Sequence, residues 1–298
     1  MQFKHARSGQ SGTQRPIASC RAAGVVSRRA ALTGAAATMA TVAAGAGMVQ
    51  AQAPRPSDIV RADVLRGWRN PDGTRMAALR LQMAPGWKTY WRMPGAAGIA
   101  PRFDWSRSRN VASVRLHWPR PEIFDQSGLL GLGYGGTLVL PVEIVPRGPG
   151  RVMLAVQMDI GACRDICVPL TLDLRGTLAG RGAADSAISD ALDQRPETAT
   201  EAGVRAAHCR TGLAEQGLDV RVAIDMPPLG GREVVVFELP DDDLWITPNP
   251  ARREGGRLVA DARIMSGSGA PVMLDRSDLQ ISVIASNRMV EIAGCSAG

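Results

Sequence analysis

Val152-Met153-Leu154-Ala155-Val156-Gln157-Met158-Asp159-Ile160 is the stretch that decides the fold. Val152, Leu154, Val156, Met158 and Ile160 occupy every second position. A period of two places alternate side chains on opposite faces of an extended chain, so one face is buried. The same period returns on both sides. Leu79/Leu81/Met83, Val114/Leu116/Trp118 and Leu138/Leu140/Val142/Ile144 precede it, and Leu170/Leu172/Leu174 follows. Breakers separate these runs, among them Ala84-Pro85-Gly86, Met93-Pro94-Gly95, Trp118-Pro119-Arg120-Pro121 and Pro146 to Gly150. Short alternating strands between turn clusters predict an antiparallel β-sandwich over residues 52–176.

Residues 177–203 change character and read as a linker, with a short helix between Ala183 and Asp193 that Pro196 ends. Alternation resumes from Leu218 to Met226, Glu233 to Leu239, Leu258 to Ile264, Leu279 to Val283 and Met289 to Ile292. This predicts a second β-sandwich over 204–298, so the chain reads as all-β, with two sandwiches in tandem.

Directly after the deciding strand comes Cys163-Arg164-Asp165-Ile166-Cys167. Fully extended, the chain would hold the two Cα atoms roughly 13 Å apart, whereas a disulfide needs about 4.4–6.8 Å. The segment must turn, and Asp165 suits a turn. Closing a ring of about five residues stabilises a fold by roughly 2 kcal/mol, and one of about 87 residues by roughly 4.5. The larger ring belongs to Cys209 with Cys295, which flank the last hundred residues and are expected to form a structural disulfide. The short ring stabilises little, which suits a redox-active pair, since labile disulfides are the regulatory and catalytic ones. A plain structural bridge and a metal site are the alternatives for the same two sulfurs. Arg164 would lower the pKa of a nearby thiol and Asp165 would raise it.

Residues 1–51 contain no Asp or Glu and six basic residues. Ser27-Arg28-Arg29 followed by the Ala/Gly-rich stretch Ala30 to Met48 reads as a twin-arginine export signal, with cleavage expected after Ala51. Ile17-Ala18-Ser19-Cys20 lacks the apolar segment a lipoprotein signal requires. Without residues 1–51 the chain keeps 29 Lys+Arg against 28 Asp+Glu. No basic patch then argues for nucleic acid, and no later segment is long and apolar enough to span a membrane. A soluble periplasmic protein is expected.

Other features carry less. Gly86-Trp87-Lys88-Thr89-Tyr90-Trp91-Arg92 is dense in aromatics, which either fill the core or line a groove. Glu122-Ile123-Phe124-Asp125 opens a Gly-rich stretch read as a mobile loop, from which Phe124 or Tyr134 could shield the cysteine pair. His117 and His208 have no ligand partner at zinc spacing. A copper(I) site from Cys163, Cys167 and a methionine such as Met158 is chemically reasonable.

Pro85 to Arg92, Pro101-Arg102-Phe103-Asp104-Trp105-Ser106, Leu140-Pro141-Val142 and Cys163 to Pro169 together resemble the periplasmic N-terminal region of the transmembrane thiol–disulfide reductases DsbD and ScsB. The resemblance covers roughly residues 60–175 and is weaker in the second sandwich. It implies immunoglobulin-like domains and a Cys163/Cys167 pair that takes electrons from a thioredoxin-like domain and passes them to periplasmic substrates. It also implies a cap segment over Glu122–Tyr134, with Phe124 as cap residue. Three residues separate the cysteines here, fewer than in DsbD. The chain carries neither a membrane domain nor a thioredoxin-like domain, so a separate thioredoxin-like protein or membrane reductase is expected as electron donor. Such exchange needs no metal or organic cofactor. Copper(I) delivery and a non-catalytic partner-binding module are the competing readings.

Overall fold

The computed structural model describes residues 55–298 except 97, 127, 242 and 249. The export signal expected over residues 1–51 lies outside the described residues. No helix among the described residues is long and apolar enough to cross a membrane.

After the one-turn helix α1 (Pro56–Ile59) the first sandwich uses ten strands: β1 (Val60–Arg69), β2 (Arg75–Met83), β3 (Lys88–Gly95), β4 (Arg102–Asp104), β5 (Ser113–Leu116), β6 (Glu122–Gln126), β7 (Leu129–Gly135), β8 (Thr137–Val145), β9 (Val152–Cys163) and β10 (Cys167–Leu178). One sheet has the order β1-β2-β8-β5. The facing sheet runs β10-β9-β3-β7-β6, with β4 also on β9. Val152, Leu154, Val156, Met158, Ile160 and Ala162 point inward from β9, and Leu79, Leu81, Leu138, Leu140, Val142 and Ile144 meet them from the other sheet. Trp87, just before β3, and Trp91 of β3 join this core, so part of the aromatic-dense segment is core filling. Met158 is 1% exposed. It faces away from the cysteines, which corrects the expectation that it could complete a copper site.

Helix α2 (Ser186–Asp193) starts later than its pattern suggested, because the Asp185 side chain accepts from the Ala187 and Ile188 amides and caps it. Ile188 packs with Met76 and Ala78 of β2, so this part of the linker rests on the first sandwich.

The second sandwich uses β11 (Glu197–Thr198), β12 (Ala206–Leu213), β13 (Leu218–Asp225), β14 (Val234–Glu238), β15 (Leu244–Pro248), β16 (Arg252–Glu254), β17 (Arg257–Ser266), β18 (Gln280–Ile284), β19 (Met289–Ala293) and β20 (Ser296–Ala297). Its sheets run β11-β19-β18-β14 and β15-β17-β13-β12-β20, with β16 on β17. Two short pairings, β11 with β19 and β12 with β20, are parallel. The molecule is all-β, two immunoglobulin-like sandwiches in tandem.

Val234-Val235-Val236-Phe237 is apolar without alternation, and the packing explains it. Val235 and Phe237 belong to the second core, while Val234, Val236, Ile284 and Met289 pack with the first. Beside this contact Arg92 of β3 binds Glu238 at 2.8 and 3.0 Å and Glu291 at 2.6 Å. Its guanidinium lies 4.2 Å from the Trp91 ring. A cation held by two carboxylates and an aromatic face ties the sandwiches together.

Candidate functional site

Cys163 ends β9 and Cys167 begins β10, and the two are directly opposed in the hairpin register. They are joined as a disulfide with Cα atoms 4.1 Å apart. The turn is three residues, Arg164-Asp165-Ile166, closed by the Arg164 amide donating to the Ile166 carbonyl at 3.1 Å. Since Ala162 points into the core, Cys163 and its partner lie on the outer face of the six-stranded sheet. Their environments differ. Cys163 is 3% exposed, while Cys167 is open to solvent.

Beside the pair lies a hairpin that reaches Cys167 through Gln126. The Gly-rich stretch read as a mobile loop is β6 and β7, paired from Glu122↔Gly133 to Gln126↔Leu129. Gly131 and Gly133 lie on its outer face, and both are required there. A Cβ on Gly131 would sit 2.3 Å from the Phe124 ring, and one on Gly133 would sit 2.0 Å from the Thr89 carbonyl oxygen. These missing side chains form a trough in which Phe124 lies, 5.9 Å from the Tyr90 ring, with the Lys88 ammonium 4.4 Å from its centroid.

Tyr134 does not shield the pair, which corrects that expectation. It is 7% exposed, stacks on Trp118 and donates its hydroxyl to the Pro119 carbonyl at 2.7 Å. As an even-numbered neighbour of the outer-face glycines it must point to the core.

Two residues touch the exposed sulfur. Gln126 Nε2 donates to Cys167 Sγ at 3.4 Å, and Tyr90 Oη lies 3.5 Å from the same atom. Tyr90 also donates to Gln126 Oε1 at 2.7 Å. A bridged sulfur has no hydrogen to give, so the amide must turn its NH₂ toward it, and the tyrosine bond holds that orientation. Burial pushes the Tyr90 phenol above its ordinary value near 10, and the Gln126 hydrogen bond only partly offsets this. The phenol therefore remains a donor wherever a thiol titrates. Neither role was seen in the sequence, although Gln126 follows Phe124 by two and so shares its strand face.

Arg164 Nε binds Asp165 Oδ2 at 2.9 Å, and the guanidinium sits 5.2 Å from the Trp87 ring. The two charges thought able to tune a thiol largely cancel each other. His117 meets Glu143 at 3.1 Å, away from the site. No cluster of three metal-ligating His, Cys, Asp or Glu side chains occurs among the described residues. Three exposed apolar residues rim the disulfide: Ile166 in its turn, Leu129 opposite Gln126, and Ile99 packed on Gly161.

Cys209 and Cys295 are bonded, with Cα atoms 5.7 Å apart and a sequence separation of 86. Cys209 is 1% exposed and lies in the second core.

Residues 56–178 match the family model described as Thiol:disulfide interchange protein DsbD, N-terminal. Among solved structures, the N-terminal periplasmic domain of ScsB from Proteus mirabilis aligns with a TM-score of 0.60 at 21% identity, over 80% of this chain and 92% of that one. Residues 56–178 are less than half of the chain, so this alignment takes in the second sandwich too. The reduced N-terminal domain of Neisseria meningitidis DsbD aligns over 44% of this chain and 91% of that one, at 13% identity and a TM-score of 0.28. No curated protein matches the chain in sequence. The sandwich with Cys163 and Cys167 at its rim, over residues 56–178, thus matches the N-terminal domain family of the thiol:disulfide interchange protein DsbD, and the chain shares the fold of the ScsB periplasmic domain.

Proposed function

We propose that the protein is an exported, periplasmic thiol–disulfide exchange module. Cys163 and Cys167 pass electrons from a thioredoxin-like or membrane reductase partner to disulfide-bonded periplasmic proteins. The observation that carries this reading is the asymmetry of the bridge: one sulfur is open and contacted by Gln126 and Tyr90, the other is buried behind it. The family match and the apolar rim of Ile99, Leu129 and Ile166, suited to a protein surface, support it.

In the reduced module the Cys167 thiolate attacks one sulfur of a substrate disulfide. That S–S bond breaks, its second sulfur leaves as a thiolate, and a mixed disulfide to Cys167 forms. The Cys163 thiolate then attacks Cys167 Sγ, restoring the bridge and releasing the substrate as a dithiol. Two electrons have moved to the substrate. A dithiol donor recharges the module by the reverse steps, attacking first at Cys167. Gln126 and Tyr90 supply donors to the charge on Cys167 Sγ whenever it is a thiolate. Phe124 closes over the site between encounters.

Equilibration of the purified protein with glutathione buffers tests this. Exchange predicts a reduction potential above roughly −300 mV, in the range where periplasmic partners work. A Cys163→Ser variant should also trap a thioredoxin-fold partner as a reductant-sensitive adduct, and Cys167→Ser should trap far less. A potential below −300 mV with no adduct would favour the inert module.

A further inference from the structure

The exchange cycle requires a thiolate on Cys163, as leaving group when the bridge is reduced and as nucleophile when it reforms. Yet Cys163 is 3% exposed, and burial disfavours a thiolate. An apolar setting alone would leave this sulfur a poor participant in both steps.

Lys88 is the one lysine after Lys4 in a chain otherwise supplied with arginine. In the pairing of β3 with β9 it lies directly opposite Cys163. Directly opposed residues of an antiparallel pair point to one face, with Cβ atoms about 4.5–5.5 Å apart. The half-buried Lys88 stem therefore rises beside the Cys163 side chain, and its ammonium rests over Phe124 on the same outer face.

The other charged and titratable groups on this face are engaged or opposed in sign. Arg164 is paired with Asp165 and Asp159 accepts from Thr171 Oγ1 at 2.6 Å, while Asp125 lies on the other face of β6 and accepts from the Gly128 amide at 2.8 Å. Tyr90 is committed to Gln126. Glu122 of β6 reaches toward Gly135, the residue across β7 from Lys88. Among the described residues Lys88 takes part in no ion pair within 4.0 Å. Its charge is left for what lies beside it.

We propose that Lys88 is a positioning residue for the exchange reaction: its ammonium stabilises the buried Cys163 thiolate across the β3–β9 pair, making Cys163 both leaving group and resolving nucleophile. This inference rests on the exchange reading. When a partner thiolate attacks Cys167 Sγ, the Cys163–Cys167 bond breaks and the electron pair goes to Cys163 Sγ beside Lys88. In the reverse step that pair forms the new S–S bond and the substrate sulfur leaves with its own.

The test titrates Cys163 without any partner. In the full chain carrying Cys20→Ser and Cys167→Ser, with the Cys209–Cys295 bridge intact, one thiol remains, and its thiolate absorbance near 240 nm is followed against pH. An opposite charge within a few ångströms shifts a pKa by about one unit or more. Lys88→Met should raise the midpoint by about one pH unit, and Lys88→Arg should restore it to within a few tenths. With Cys167 present, Lys88→Met should slow resolution of a glutathione mixed disulfide about threefold at neutral pH. The tenfold loss of thiolate is partly offset by its greater nucleophilicity. A midpoint unmoved by Lys88→Met, or moved equally by Lys88→Arg in a protein of unchanged thermal stability, would overturn the proposal. Because the titration uses no partner, it can fail while exchange holds, or hold while trapping fails.

Discussion

The two sandwiches share a plan of one smaller and one larger sheet, and each carries one disulfide, but the bridges differ in ring size and exposure. Cys209–Cys295 closes a ring spanning 86 positions and buries Cys209 in a core. Cys163–Cys167 closes a hairpin turn whose register already brings the two residues together. A bridge between distant segments constrains the unfolded chain strongly. One across a tight turn adds little to what the ladder enforces. The second bridge thus adds more to stability than the first, and the proposed exchange asks only the first to open, where the hairpin ladder already holds the fold. The β6–β7 hairpin lies beside the first bridge and touches it through Gln126, whereas Cys209 of the other bridge is buried in a core.

Replacing cysteines in pairs tests this contrast most severely. Cys209→Ala with Cys295→Ala is expected to cost about 4.5 kcal/mol, and Cys163→Ala with Cys167→Ala about 2 or less. Chemical denaturation followed by a probe in each sandwich measures both. Equal losses would erase the distinction.

The cap is the next point of leverage. Phe124→Ala should speed reduction of the 163–167 bridge by dithiothreitol several-fold and leave the 209–295 bridge unchanged. Gly131→Ala should do the same by displacing the ring that a Cβ would strike at 2.3 Å. Quenched-flow alkylation with mass spectrometry reads both bridges at once. Losing a neutral hydrogen bond costs about 1 kcal/mol, so Gln126→Ala should change the exchange rate at Cys167 about fivefold. Tyr90→Phe should act through the same atom, giving less than the sum of the two effects in the double variant.

Acid separates the halves more gently. In the first sandwich Asp72 is held below its ordinary range. Seven more such carboxylates lie between residues 197 and 275. Hydrogen bonds from Arg195 and then Thr198 bring Glu201 from 4.5 to about 2. Burial pushes Glu233 up, but Arg253 and the Leu229 amide outweigh it. A carboxyl depressed in the folded state takes up protons sooner when unfolded. Its contribution is present above its unfolded pKa and is lost as pH falls toward the folded value. The second sandwich should therefore lose thermal stability first between about pH 4.5 and 2. Calorimetry across that range would show its transition moving down ahead of the other.

Much of this molecule was legible in its residues, because period-2 alternation is a local record of which face is buried. The β9 and β10 strands, the cysteine turn and the pairing of Cys209 with Cys295 all rest on spacing. The glycines of β7 misled because a strand facing a trough carries no side chains to alternate. Without them the stretch resembles a loop, and Tyr134 cannot be assigned a face. The unbroken Val234–Phe237 run likewise reflects two cores meeting at one strand, which is a property of the assembled pair.

The order of residues alone determined an all-β tandem, a tight cysteine hairpin and a long-range staple, since each depends on local periodicity or ring size. Tertiary structure alone decided which sulfur is open, that Gln126 and Tyr90 reach it, and that Lys88 stands across from the buried one. Those facts depend on strand register between segments up to about 75 residues apart, and no local pattern encodes a register between distant strands.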